Sequence, residues 1–210
     1  QFYMEYVAIL SHAVDHDPLN ASRHRALLEE LYQNARRSGS PAVWRMVHDR
    51  AADMWEALPP SDPERIWAKF YRGAAQFSPR MRDLLLPEDP AEGTQLEQGE
   101  RNLLEFLEVH PDSDAGWGAL LSGELAAVAR VQIAGQTTRV QEELQKLRTH
   151  LAQARSQVTE GPNTLAAAIR LAIRDRIETP ALVDEEAMRA DAQELVRCTQ
   201  DKDSPWAVTQ

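Results

Sequence analysis

Apolar residues recur through most of the chain at steps of three and four, the spacing that places side chains on one face of an α-helix. The first such stripe runs from Tyr3 to Val14 and stops before Pro18. Runs that alternate apolar and polar residues, as half-buried strands do, are nearly absent. The pattern predicts an all-α protein of eight or nine helices.

Residues that favour helix ends separate these stripes. Asn20 is a candidate N-cap for the second helix. Ser40-Pro41 and Ser78-Pro79 place a capping residue before a proline, which is typical of a helix start, and the second of them predicts a short helix. Residues 87–93 are predicted to form a loop, and a capping box that begins at Thr94 opens the next helix.

The apolar spacing changes to a heptad in the second half of the chain, where steps of four and three alternate. The members of this seam are Ile133, Thr137, Val140, Leu144, Leu147, Leu151, Ala154 and Val158. A helix of this length would extend about 40 Å. Two interpretations follow: helices of the same chain fold back on the seam, or a second copy of the chain pairs with it.

The difference between the two halves predicts the domain organisation. Residues 1–126, which hold four of the five tryptophans, are predicted to form an irregular stack of helix pairs. Residues 127–200 are predicted to form a long coiled-coil-like helix with shorter helices folded against it, and residues 201–210 a frayed tail. Because the stretch from Leu125 to Ile133 can be continuously helical, one continuous domain is the alternative.

Charge and composition narrow the classes of partner. The chain of 210 residues has 33 acidic against 23 Lys and Arg residues, a net charge of −10, which repels nucleic acid. No apolar run approaches the ~18 residues of a membrane helix, so we expect no membrane insertion. The single cysteine, Cys198, excludes an internal disulfide and favours a reducing, cytoplasmic location. Because the chain begins at Gln1 rather than Met, removal of a signal peptide or an upstream domain stays open.

The sequence holds no recognisable catalytic motif. A Gly-rich phosphate loop, Gly-x-Ser-x-Gly and Cys-x-x-Cys are all absent from it, so we predict no catalytic residues and no cofactor. His12 and His16 lie four residues apart, on one face of a helix, with Asp15 nearby, which makes them weak candidates for metal ligands. A metal- or cofactor-dependent helical enzyme that uses these histidines is therefore an alternative, although no third ligand stands at a recognisable spacing.

The tryptophans of the first half each stand on an apolar stripe. Trp44, Trp55, Trp67 and Trp117 are explained by packing between helices, and the alternative is an aromatic groove that binds a peptide. Together with the heptad seam they supply the candidates for a partner interface. These candidates are Val140, Leu144, Leu147, Leu151, Trp44 and Trp67.

Three segments of the first 130 residues resemble a family of helical repeats. Pro111 is followed six residues later by Trp117, with Leu120 and Leu121 behind it, and Asp17-Pro18 is followed by His24, Leu27, Leu28 and Tyr32. This arrangement resembles tetratricopeptide repeats. Arg50-Ala51-Ala52, with Pro60, Trp67 and Tyr71, is similar to the related half-a-TPR pattern. The resemblance implies a right-handed stack of helix pairs that binds proteins.

The sequence therefore predicts a non-enzymatic interaction or scaffold module that binds a partner protein through helical surfaces. The absence of a catalytic motif and the heptad seam are the main reasons. A third possibility is an oligomerising, regulatory subunit of a larger complex, because the seam could join two copies of the chain.

Overall fold

Every regular element described by the computed structural model is a helix. The structure describes residues 2–78, 91–158, 161–178 and 184–200, and within them it has no strand, which confirms the all-α prediction. Among the described residues, no helix combines the length and apolar content needed to cross a bilayer. A short 3-10 helix, Pro63–Arg65, precedes α4. The α-helices are α1 (Phe2–His16), α2 (Ala21–Ser38), α3 (Pro41–Ala57), α4 (Ile66–Phe77), α5 (Ala91–Val109), α6 (Asp114–Ile133), α7 (Thr137–Gln157), α8 (Pro162–Glu178) and α9 (Glu185–Gln200).

Several helix ends lie where the sequence predicts them. The Asn20 side chain accepts a hydrogen bond from the backbone N–H of Arg23 at 3.3 Å, and Pro41 is the first residue of α3. Gly39 follows α2 with a φ of 61°, a left-handed conformation that glycine adopts at little cost. One boundary differs: α5 begins at Ala91, inside the predicted loop of residues 87–93. The short helix predicted after Ser78 lies outside the described residues.

The chain divides into two compact units between Val109 and His110. Unit 1 is Gln1–Val109 and unit 2 is His110–Gln210. The sequence pattern placed the division at 126/127, but α6 continues through that point from Asp114 to Ile133. The change in residue pattern that suggested a division at 126/127 therefore falls within α6, a helix of unit 2.

In unit 1 each helix packs against the next one along the chain, and α2 also touches α4. The core contains a group of edge-to-face aromatic contacts. Tyr32 lies at its centre, with ring centroids 5.7 Å from Trp44, 5.3 Å from Phe70 and 5.8 Å from Tyr71. Aromatic packing thus joins α2, α3 and α4.

The helices α4 and α5 approach each other closely at two glycines. A Cβ added to Gly99 would lie 2.8 Å from the Gln76 Cβ, and one added to Gly73 would lie 2.9 Å from the Gly99 carbonyl oxygen. Beside this crossing, the buried Asn102 side chain donates a hydrogen bond to Gln76 Oε1 at 3.0 Å. The crossing requires residues without a side chain at both positions.

In unit 2, α6 packs against α7 and α8, and α8 packs against α9. Gly135, with a φ of 69°, separates α6 from α7, so Ile133 ends one helix and is 87% exposed. The later seam residues Val140, Leu144 and Leu147 are buried. This arrangement corresponds to the first interpretation of the heptad, in which helices of the same chain cover it.

Asp114, at the start of α6, caps the start of α8. Its carboxylate accepts hydrogen bonds from the backbone N–H groups of Asn163 and Thr164, both at 2.9 Å, and from their side chains at 2.7 and 2.8 Å. A carboxylate at a helix N-terminus also interacts favourably with the helix dipole. Asp114 therefore fixes the position of α8 relative to α6.

We expect Gly99→Ala to lower the free energy of unfolding by about 1–2 kcal/mol. The added methyl group overpacks the α4–α5 crossing, and this cost exceeds the gain of about 1 kcal/mol in helix propensity. Urea denaturation followed by circular dichroism measures the change. Gln98→Ala, one position earlier on the exposed side of α5, is the control and should change little. A stabilised Gly99→Ala variant would contradict the close approach.

We expect Asp114→Ala to lower the free energy of unfolding by about 2–4 kcal/mol, because the donors at the start of α8 lose a charged acceptor. The same denaturation measurement tests this. Asp112→Ala removes an exposed carboxylate two residues earlier and should have an effect below about 0.5 kcal/mol. Equal effects of the two substitutions would mean that Asp114 does not act as the cap.

Candidate functional site

The structure places most of the predicted interface residues inside the two units. Trp44 is 7% exposed in unit 1, and Val140, Leu144 and Leu147 are buried in unit 2. Leu151 is half-buried and lines a small cavity between α7, α8 and α9. Trp67, at the start of α4, is also half-buried, and its indole reaches the surface of unit 1.

The two candidate metal ligands, His12 and His16, both lie exposed on α1. Their ring centroids are 4.2 Å apart, with the rings nearly perpendicular. Among the described residues, no group of three or more His, Cys, Asp or Glu side chains is arranged to hold a metal ion. Protein zinc sites have three or four such ligands, so this pair alone does not form one.

Trp67 packs between the core and a cation. Its ring centroid is 5.0 Å from that of Phe106, and the Arg25 guanidinium lies over the indole at 4.0 Å from the ring centroid. Arg25 Nη1 donates a hydrogen bond to Glu64 Oε2 at 2.9 Å, which orients the guanidinium. This is the geometry of a cation–π interaction.

A hydrogen bond beside Trp67 also joins α2 and α4. The Tyr71 hydroxyl donates to Glu29 Oε2 at 2.8 Å. Burial of the phenol raises the pKa of Tyr71 well above its ordinary value, and the negative charge of Glu29 adds to this shift. Tyr71 therefore remains a neutral donor and keeps Glu29 next to α4.

Trp55, near the end of α3, is half-buried and lies next to two cations. The Arg65 guanidinium lies 3.8 Å from the Trp55 ring centroid, and Arg65 Nε donates a hydrogen bond to the Trp55 carbonyl oxygen at 2.9 Å. Lys69 Nζ lies 5.0 Å from the same centroid and forms an ion pair with Glu105. We call the group formed by Arg25, Trp55, Arg65, Trp67 and Lys69 the tryptophan–arginine surface.

The environment of Lys69 disfavours its charged form. Partial burial lowers the pKa of Lys69 below its ordinary value, and the positive charge of Arg65 lowers it further. The negative charge of Glu108 acts in the opposite direction. The two cations beside Trp55 therefore repel each other in the folded protein.

The two cations of α4 and the arginine that precedes the helix lie on one side of it. Arg65 has helical backbone angles, φ −57° and ψ −28°, so Arg65, Lys69 and Arg72 stand at positions i, i+4 and i+7 of a continuous helical path. We call these three residues the basic stripe. The sequence of α4 contains no acidic residue. Arg72 Nε is shielded from solvent, and no described residue accepts a hydrogen bond from it.

The sequence interpretation missed Trp55 and the basic stripe as surface features. The pattern assigns Trp55 to the apolar face of its helix, because periodicity does not show that Arg65, beyond the end of that helix, will cover the ring. The available signal was the composition of α4, which pairs cations at helical spacing with a complete lack of carboxylates.

In unit 2, a carboxylate–imidazole pair joins α6 to α7. Glu124 is fully buried, and its Oε1 lies 2.5 Å from His150 Nδ1. The Trp117 ring lies beside the imidazole, with centroids 6.5 Å apart. Removal of one member of such a pair leaves the other buried without its partner, so the pair has a structural role in unit 2.

Comparison of the chain with protein-family models, with curated proteins and with solved structures finds no match to any of the three. The resemblance to tetratricopeptide repeats thus stays a prediction from the sequence. The geometry of the tryptophan–arginine surface is the basis for the function proposed below.

We expect Arg65→Ala to raise the pKa of Lys69, because the substitution removes a neighbouring positive charge and exposes the amine to water. Glu108→Gln should lower the same pKa, since it removes a negative charge. Reductive methylation with ¹³C, followed by NMR titration of the lysine methyl signals, measures both shifts. Arg189→Ala, at an exposed position of unit 2, is the control. A lower pKa in Arg65→Ala would refute the repulsion between the two cations.

Proposed function

We propose that the chain is a non-enzymatic scaffold or interaction module that binds a partner protein through the tryptophan–arginine surface. The observation that carries this proposal is the pair of half-buried tryptophans, Trp55 and Trp67, each with an arginine guanidinium over its ring. Tryptophan and arginine are the residues most enriched among those that dominate binding energy at protein interfaces.

The arrangement also reduces the entropic cost of binding. Arg25 is already held by Glu64, and Arg65 by the Trp55 carbonyl oxygen. A flexible side chain that is ordered before a partner arrives loses less conformational freedom on binding, by about 0.5–1.5 kcal/mol for each such side chain. The surface therefore offers two preorganised arginines beside two large aromatic rings.

The other hypotheses have less support in the geometry. The enzyme alternative uses His12 and His16, which stand alone as a two-residue donor set among the described residues. The oligomerising subunit depends on a heptad whose members Val140, Leu144 and Leu147 are buried within unit 2. The resemblance to tetratricopeptide repeats favours the same class of function as the tryptophan–arginine surface does, because those repeats bind proteins.

We expect peptides selected from a random display library on the immobilised full chain to bind the tryptophan–arginine surface. Trp55→Ala and Arg25→Gln should each weaken the selected peptides by at least about tenfold in Kd, or ~1.4 kcal/mol. Fluorescence anisotropy with a labelled peptide measures the affinity, and circular dichroism verifies that each variant is folded.

The matched controls for this experiment are Tyr6→Ala, an exposed aromatic residue of α1, and Arg23→Gln, an exposed arginine two positions before Arg25 on α2. Both controls should bind like the unmodified chain. The proposal fails if no peptide is enriched over repeated selections, or if the control substitutions weaken binding as much as the substitutions at the surface.

A further inference from the structure

The basic stripe has a regular spacing along α4. Residues at i, i+4 and i+7 of a helix succeed one another at about 5–6 Å, so Arg65, Lys69 and Arg72 cover a length of about 10 Å. All three side chains are half-buried, and the Nε of Arg72 is shielded from solvent. The stripe thus has the length of two helical turns.

Three carboxylates stand next to the stripe: Glu64, which pairs with Arg25, and Glu105 and Glu108 of α5. Glu105 pairs with Lys69, and Glu108 also acts on that amine. Arg65 uses its Nε on a neutral carbonyl oxygen, and Arg72 Nε has no acceptor among the described residues. Two of the three cations of the stripe therefore have no carboxylate partner in the part of the chain that the structure describes.

The positive charges of the stripe are only partly compensated by the neighbouring carboxylates Glu105 and Glu108. Arg65 disfavours the protonated form of Lys69, and the shielded Nε of Arg72 loses hydrogen bonding to water without gaining an acceptor. A carboxylate placed between these groups would reduce the repulsion and accept hydrogen bonds from the guanidinium groups. Binding of anionic groups at this position is therefore favoured by local electrostatics.

We propose that the basic stripe binds an acidic segment of a partner protein, with carboxylates on successive turns of a helix facing Arg65, Lys69 and Arg72. This inference rests on the proposed function, because it names the partner chemistry at the same surface. Carboxylates one helical turn apart match the spacing of the stripe. The Trp55 indole, next to Arg65 and Lys69, adds apolar area for the methylene groups of glutamate side chains.

An acidic protein segment fits better than a nucleic acid. The chain carries a net charge of −10, which repels a long polyanion at distances beyond the stripe itself. A short segment with a few carboxylates needs to approach only α4, where no acidic residue is present. Screening by salt limits the unfavourable long-range contribution to about 10 Å at 0.1 M ionic strength.

The test compares the affinities of two peptides for the full chain. The first peptide has three repeats of Glu-Glu-Leu-Ala, and the second has three repeats of Gln-Gln-Leu-Ala, with the same length and apolar content. We expect the glutamate peptide to bind at least tenfold more tightly in isothermal titration calorimetry, with an affinity that falls as salt increases. The NMR signals of ¹³C-methylated Lys69 should shift on binding, and the pKa of that amine should rise because a further anion, in addition to Glu105, then lies beside it.

The double variant Arg65→Gln with Arg72→Gln should lose at least tenfold in affinity for the glutamate peptide. Its matched control, Arg37→Gln with Arg189→Gln, changes the net charge equally at two exposed arginines and should leave the affinity unchanged. Arg72→Gln alone provides a second test that leaves the Arg65–Trp55 contacts intact. Circular dichroism verifies that each variant is folded.

Three results would overturn the inference. They are equal binding of the glutamine peptide, equal loss in the two double variants, and tighter binding of an oligothymidylate or of anionic lipid vesicles than of the glutamate peptide. Failure of the inference is distinguishable from failure of the proposed function. If library-selected peptides bind in a Trp55-dependent manner while the glutamate peptide does not, only the acidic chemistry is wrong.

Discussion

Two glycines determine how unit 1 presents its surface. Because Gly73 and Gly99 let α4 and α5 approach within a distance that no side chain would permit, one side of α4 is fixed against α5. The buried bond between Asn102 and Gln76 sets the register of the two helices at the same place. Once α4 is held in this way, Trp67 and Tyr71 face α2, and Lys69 lies between Trp55 and Glu105. The position of every candidate binding residue on α4 follows from this crossing.

Unit 2 is held together differently from unit 1, because its helices are joined more by charged side chains than by aromatic ones. Asp114 connects α6 to α8, and the Glu124–His150 pair connects α6 to α7. Arg155 forms a bidentate pair with Asp191 between α7 and α9. Bidentate and buried pairs of this kind depend strongly on geometry. These pairs specify which helices meet, and the seam residues of α7 contribute the buried apolar surface.

The sequence predicted the helices and many of their ends, because capping and periodicity are local properties. Asn20 and Pro41 illustrate this, since each acts within one turn of its own position. The heptad was a weaker guide to function. An apolar seam shows that a helix is covered along one side, but it does not show whether the same chain or another copy covers it. In this protein Gly135 separates Ile133, the first residue of the seam, from the others, and Val140, Leu144 and Leu147 are buried within the unit. The candidate site depends on contacts between residues far apart in sequence, such as Arg25 with Trp67, which no local pattern encodes.

The positions of the cations, rather than the net charge alone, indicate where this chain could bind an anionic partner. In a protein with ten more acidic than basic residues, most arginines and lysines could be neutralised by nearby carboxylates. Several are used in this way, including Arg50 with Asp15 and Arg148 with Asp175. Along the basic stripe the arrangement is mixed, since Lys69 pairs with Glu105, whereas Arg65, one turn earlier, lies against an indole rather than a carboxylate. An exposed ion pair is already satisfied and contributes about 0–1 kcal/mol, so an added anion gains little from it. Arg65 lies against the Trp55 indole and has no carboxylate partner among the described residues, so a carboxylate of a partner protein gains more from Arg65 than from a cation that is already paired.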